Sequence, residues 1–163
     1  MTHIVAGNIA PGFSLKSLDG KEYSLTALID SGPVIAAFFK ISCPVCQLTF
    51  PFLERLYQRY GGGVTFLGIS QDDVRATKSF AQEYGVTFPM LIDEKGYPVS
   101  NAYGITNVPT IFLIDAEGAV KVSSMGFDKS DLEKIAADLA ERRKIAKAPL
   151  FRPDEKVPTH RPG

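Results

Sequence analysis

The chain has 163 residues, 45% of them hydrophobic, and carries 18 basic and 18 acidic side chains. That is the size of one domain with a sizeable core, and the balanced charge, with no basic stripe, argues against nucleic acid or an anionic membrane as the main partner. The opening MTHIVAGNIAPGF lacks the basic start and apolar run of a secretory signal, and no later run approaches a membrane span, so a cytoplasmic protein with a small or protein-borne substrate is expected.

In chain order, PGFSLKSLDGKEYSL alternates around Asp19-Gly20 and predicts an N-terminal β-hairpin. PVIAAFFKI, from Pro33, reads as a buried central strand that ends at a polar segment containing both cysteines. Beyond them Thr49, Phe52, Leu53, Leu56 and Tyr60 recur at helical spacing until the glycines at 61 to 63, with a kink expected at Pro51. VTFLGIS predicts a second buried strand, and DDVRATKSFAQEY a helix with Val74, Thr77, Phe80, Ala81 and Tyr84 on its inner face. FPMLID and TIFLID are two further strands, the second feeding a hairpin turn at Glu117-Gly118. A closing helix then places Leu132, Ile135, Ala136 and Leu139 inward, with Ser130 and Glu133 as a capping box. Alternating strands and helices make this an α/β chain. Its division is a domain over 1–147 and a Pro-rich tail over 148–163, the tail carrying four prolines and expected to be an irregular, mobile terminus. The other reading of the tail is an arm on a partner subunit through Leu150 and Phe151.

Cys43 and Cys46 are the only cysteines. Three positions apart, they close almost no loop, so their value is chemical or nil. A Cys-x-x-Cys between a strand and a helix sets the first sulfur against unpaired backbone N–H groups and the positive end of the helix dipole, which favours thiolate. Cys43 is thus the expected nucleophile and Cys46, one turn on, the resolving thiol. Lys40 could tune the ionisation of Cys43 if its side chain turns toward the sulfur. Zinc would need about four ligands, and only His3 and His160, at opposite ends of the chain, could join the sulfurs. No metal or cofactor is expected. Two buried cysteines without redox work remain the bland alternative.

These stretches together resemble the thioredoxin-like superfamily, in the redoxin branch that groups AhpC/TSA peroxiredoxins with TlpA/ResA-type thiol-disulfide oxidoreductases, and the latter most. The resemblance rests on APGFSLKSLDGKEYSL, CPVC, Pro51, VTFLGIS, YGVTFPMLIDEKG and YGITNVPTIFLIDAEGAV, about residues 5 to 142. It implies a thioredoxin fold, a mixed sheet flanked by helices after the hairpin, and a cis-proline at Pro109 facing the redox pair. It also implies that backbone beside this proline docks substrate, which makes Val108 and Thr110 candidates, and that the partners are a disulfide substrate and a thiol reductant.

The chain departs from the family in both directions. Neither cysteine follows the Pro-x-x-x-Thr/Ser pattern of peroxiredoxins, and Pro109 stands near where their arginine would fall, so developing charge on a peroxide has no evident stabiliser. On the oxidoreductase side, Ala37, Ser42 and Thr49 replace an Asp, a Trp and a Glu. Gln71, Asp72 and Asp73 could approach the site, although a strand-end Asp is more often a helix cap. The expected activity is disulfide exchange through Cys43 and Cys46. An atypical peroxidase and a non-catalytic binding module are the alternatives.

Overall fold

A computed structural model describes residues 3–163. The N-terminal hairpin pairs β1 (Ser14–Lys16) with β2 (Glu22–Ser24), Leu15 opposite Tyr23. At its turn the Ser17 hydroxyl donates to the Asp19 carboxylate and Gly20 takes φ +85°. A short helix, α1 (Leu25–Ile29), leads to β3 (Val34–Phe39), every residue of which is buried. There follow α2 (Pro44–Tyr60), β4 (Thr65–Ser70), α3 (Val74–Tyr84), β5 (Met90–Ile92), α4 (Pro98–Ala102), β6 (Thr110–Ile114), β7 (Val120–Met125), β8 (Phe127–Asp128), α5 (Lys129–Arg143) and β9 (His160–Arg161).

The main sheet has the order β5-β4-β3-β6-β7, with β3, β4 and β5 parallel and β6 and β7 antiparallel to their neighbours. Side chains of a strand alternate between faces, so β3 divides the core in two. Ile35, Ala37 and Phe39 join the cluster containing Phe50, Leu53, Leu56, Leu132, Ile135 and Leu139. Val34, Ala36 and Phe38 join the opposite cluster with Leu25, Tyr103 and Phe112. Phe39 sits 4.4 Å from the Phe50 ring and 4.8 Å from Phe80, which fastens α2 and α3 to the middle of the sheet. On the other face Phe38 lies 5.1 Å from Tyr103, whose hydroxyl donates to the Pro11 carbonyl at 2.7 Å.

The expected strands, long helices and both hairpins are present. The second hairpin turns where the Gly118 N–H donates to the Asp115 carbonyl at 2.9 Å, with Gly118 at φ +82°. Local details differ. Val74 opens α3 and is 43% exposed, because the first residue of a helix precedes the turn that packs on the sheet. The cap of α5 is Asp128, which accepts from the Asp131 N–H at 2.9 Å, and Ser130 lies inside the first turn. The short α4 has a tertiary origin: the buried Asp93 carboxylate accepts from the N–H groups of Val99 and Ser100 at 3.1 and 2.7 Å. α2 runs through Pro51, whose missing N–H leaves the Gln47 carbonyl without its helical partner.

The tail differs most from the expected mobile terminus. It carries little regular structure, but Leu150 and Phe151 are buried in this chain's own core, and His160–Arg161 pair with Phe127–Asp128.

Candidate active site

The site forms where three chain segments leave the sheet at one end. β3 delivers the cysteine segment, and its antiparallel register with β6, Phe38 opposite Thr110, brings residues 107–109 alongside. β6 in turn pairs Thr110 with Met125, and the next residue, Gly126, donates its N–H to the Pro109 carbonyl at 2.7 Å. The Val108-Pro109 peptide is cis.

Cys43 is the N-cap of α2, with Pro44 at the first helical position, where a missing N–H costs nothing. Its sulfur accepts from the Cys46 N–H at 3.3 Å, one of the helix donors that would otherwise be unpaired. Its thiol donates to the Val108 carbonyl at 3.4 Å. Cys43 is half-buried and Cys46 fully buried. Burial pushes the Cys46 thiol well above the ordinary cysteine range, and the Cys43 sulfur and the Asp72 charge push it further, while backbone hydrogen bonding at Lys40 offsets part of the rise. One sulfur is therefore accessible and the other is held as a protected thiol.

Lys40 is exposed and meets the motif through its backbone, its carbonyl accepting from the Cys43 N–H at 3.3 Å. Val108 touches the Cys43 sulfur directly. Thr110 is buried within the sheet, its hydroxyl donating to the Asn107 carbonyl at 2.7 Å, so it shapes the loop from inside. Thr49 spends its hydroxyl on the Val45 carbonyl at 2.7 Å, and Ala37 is enclosed in the core.

Two residues that sequence reasoning left unassigned hold the segment before Cys43. The Ile41 N–H donates to the Asp72 carboxylate at 2.8 Å, and the Ile41 carbonyl accepts from the Gln47 side-chain amide at 3.0 Å. The adjacent acids divide their work: Asp73 caps α3, accepting from the Ala76 N–H at 2.8 Å, while Asp72 turns to the redox loop. Gln71 points away, to the Ser100 hydroxyl at 3.0 Å. The two consecutive acids after β4 were the available signal, since one helix start needs only one cap.

The family model described as the AhpC/TSA family matches residues 6–123. The chain belongs to the AhpC/TSA family. Within it, thiol-disulfide oxidoreductase ResA of Geobacillus thermodenitrificans is 35% identical over 136 residues, spanning 82% of this chain and 77% of that protein. ResA of Halalkalibacterium halodurans is 36% identical over 133 residues, spanning 80% and 74%. The thioredoxin domain of thiol-disulfide oxidoreductase BVU-2223 from Bacteroides vulgatus aligns with a TM-score of 0.73 at 23% identity, over 83% of this chain and 97% of that one, which shows a shared thioredoxin fold. This AhpC/TSA member is accordingly a thioredoxin-like oxidoreductase of the thiol-disulfide class.

Proposed function

We propose that the chain reduces disulfides through a two-thiol cycle in which Cys43 attacks and Cys46 resolves. The observation that carries this is the position of the Cys43 sulfur, capped by the Cys46 N–H at 3.3 Å and set 3.4 Å from the Val108 carbonyl. Deprotonated Cys43 attacks one sulfur of the substrate disulfide. That bond breaks, a mixed disulfide forms, and the leaving thiolate takes a proton. Cys46 then gives up its proton and attacks the Cys43 sulfur, releasing the second substrate thiol and leaving the Cys43–Cys46 disulfide. The substrate gains two electrons, and a thiol reductant returns the pair to its starting state.

Val108 supplies the backbone on which a substrate strand docks, and Pro109 and Thr110 set the path of that loop. Ionised Cys43 loses its bond to Val108, so attack and release of the loop's carbonyl coincide. A cytoplasmic setting completes the proposal, and fractionation of the producing cell checks it.

Insulin reduction by the purified protein tests the reading, and loss of that activity in Cys43→Ser is the expected result. Peroxide consumption coupled to dithiothreitol separates it from a peroxidase, since neither the threonine pattern nor the arginine of that chemistry is present. Full biological function in a Cys43→Ser, Cys46→Ser double variant would instead support a binding module.

A further inference from the structure

Beyond α5 the chain doubles back over α2. Phe151 is buried with its ring 4.8 Å from Phe52 and 6.0 Å from Phe127. Arg55 fastens the segment from outside, donating to the Leu150 carbonyl at 2.8 Å and to both Glu155 carboxylate oxygens at 2.7 and 2.8 Å. From this anchor the tail reaches β9, which pairs Arg161 with Phe127 and His160 with Asp128. Because β8 directly follows Gly126, this pairing delivers residues 161–163 to the space between Gly126 and the Val108-Pro109 loop.

The fit there is close. A Cβ at Gly126 would overlap the Arg161 carbonyl oxygen and stand 3.1 Å from the Gly163 nitrogen. A Cβ at Gly163 would overlap the Val108 carbonyl oxygen and stand 2.7 Å from the Val108 carbonyl carbon. Glycine at both places lets the backbones meet. The Asn107 side-chain amide adds a hydrogen bond to the Gly163 carbonyl at 3.2 Å. A strand of the chain itself thus lies on the residue whose carbonyl accepts the Cys43 thiol. Its two halves are held differently: Leu150 and Phe151 are buried, whereas residues 160–163 are exposed and held by a two-residue ladder, which is marginal by itself.

Resting on the disulfide-exchange reading above, we propose that residues 160–163 occupy the peptide-docking edge of the redox site and determine which disulfides it accepts. A disulfide carried on an extended protein strand must displace them by adding its own strand to the Val108 backbone. A small disulfide reaches the half-buried Cys43 sulfur with the tail in place. Displacement breaks only noncovalent contacts, and the Phe151 and Arg55 anchor keeps the segment ready to return.

The test compares the full chain with Gly163→Val, in which a side chain expels the segment from Val108, and with a variant lacking residues 160–163. Turnover of insulin and of hydroxyethyl disulfide by each protein, with dithiothreitol reducing the Cys43–Cys46 disulfide after each cycle and the uncatalysed rate subtracted, is followed, together with amide exchange at residues 107 and 108. Both variants should lower KM for insulin roughly 3- to 10-fold, the effect of removing a competitor held by one or two net hydrogen bonds. The kcat and the hydroxyethyl disulfide rate should stay unchanged, and exchange at 107 and 108 should rise. Unchanged insulin KM with faster exchange overturns the gate while leaving the oxidoreductase reading intact, as does an equal gain for both disulfides. Absence of turnover with either disulfide in all three proteins overturns the oxidoreductase reading and the gate with it.

Discussion

The Cys43 thiol donates to the Val108 carbonyl at 3.4 Å although 65 positions separate them. The contact follows from the sheet: β3 and β6 are antiparallel neighbours with Phe38 opposite Thr110, so the loop entering β6 must pass the segment leaving β3. The proposed nucleophile and docking backbone are thereby fixed relative to one another by the most buried strands of the fold.

That placement gives the two cysteines distinguishable phenotypes. Cys46→Ser should accumulate a stable mixed disulfide between Cys43 and its substrate, visible on a non-reducing gel, whereas Cys43→Ser should trap nothing. Trapping by both variants, or by Cys43→Ser alone, would reverse the assigned roles.

Burial of Cys46 has a signed consequence for stability. Its thiol is raised above the ordinary value of 9.0, so above that pH the unfolded chain releases a proton that the folded chain retains. Stability is unaffected by this group below about pH 9 and falls above it, by at most about 1.4 kcal/mol per pH unit. Tyr103, a phenol raised from 10.0 by burial, adds a loss of the same sign beyond its own ordinary value. Urea midpoints measured on either side of pH 9 should show the decline, and Cys46→Ala should remove the Cys46 share of it.

Asp72 offers a test of how the redox loop is held. Asp72→Ala leaves the Ile41 N–H without its acceptor and should cost about 1–2 kcal/mol in denaturant unfolding. Asp72→Asn removes the charge that disfavours the Cys46 thiolate. The pH dependence of substrate release from the mixed disulfide should then move to lower pH, and a shift to higher pH would assign Asp72 the opposite role.

Phe151→Ala measures the anchoring of the tail. Its ring packs between Phe52 and Phe127, so truncation should destabilise the domain by about 3 kcal/mol, seen as a fall in Tm. A mobile tail would show a change within about 0.5 kcal/mol.

The Glu155 carboxyl, paired with Arg55, is held down at about 2, below its ordinary 4.5. The contribution of this pair is present above pH 4.5 and disappears as the pH falls through about 2. An NMR titration of the Glu155 carboxyl should follow that acid interval in the full chain and move toward the ordinary value in Arg55→Ala.

The strands, the helices and the placement of Cys43 and Cys46 at a helix start were legible in the sequence because each depends on local pattern: apolar runs, helical spacing, and a cysteine pair at a strand exit. Pairings between distant residues have no such local signature. Asp72 could not be separated from Asp73 before the Ile41 N–H was located. Four prolines and little apolar surface made the tail look mobile, because composition does not reveal that Leu150 and Phe151 meet a complementary hollow beside Phe52 and Phe127. By itself, then, the sequence determined an α/β chain with a cysteine pair at a helix start. The tertiary structure decided what faces that pair: a carbonyl from Val108, a clamp from Asp72 and residues 161–163 beside Val108. Such neighbours are set by strand register and long-range burial, which act only once the sheet has formed.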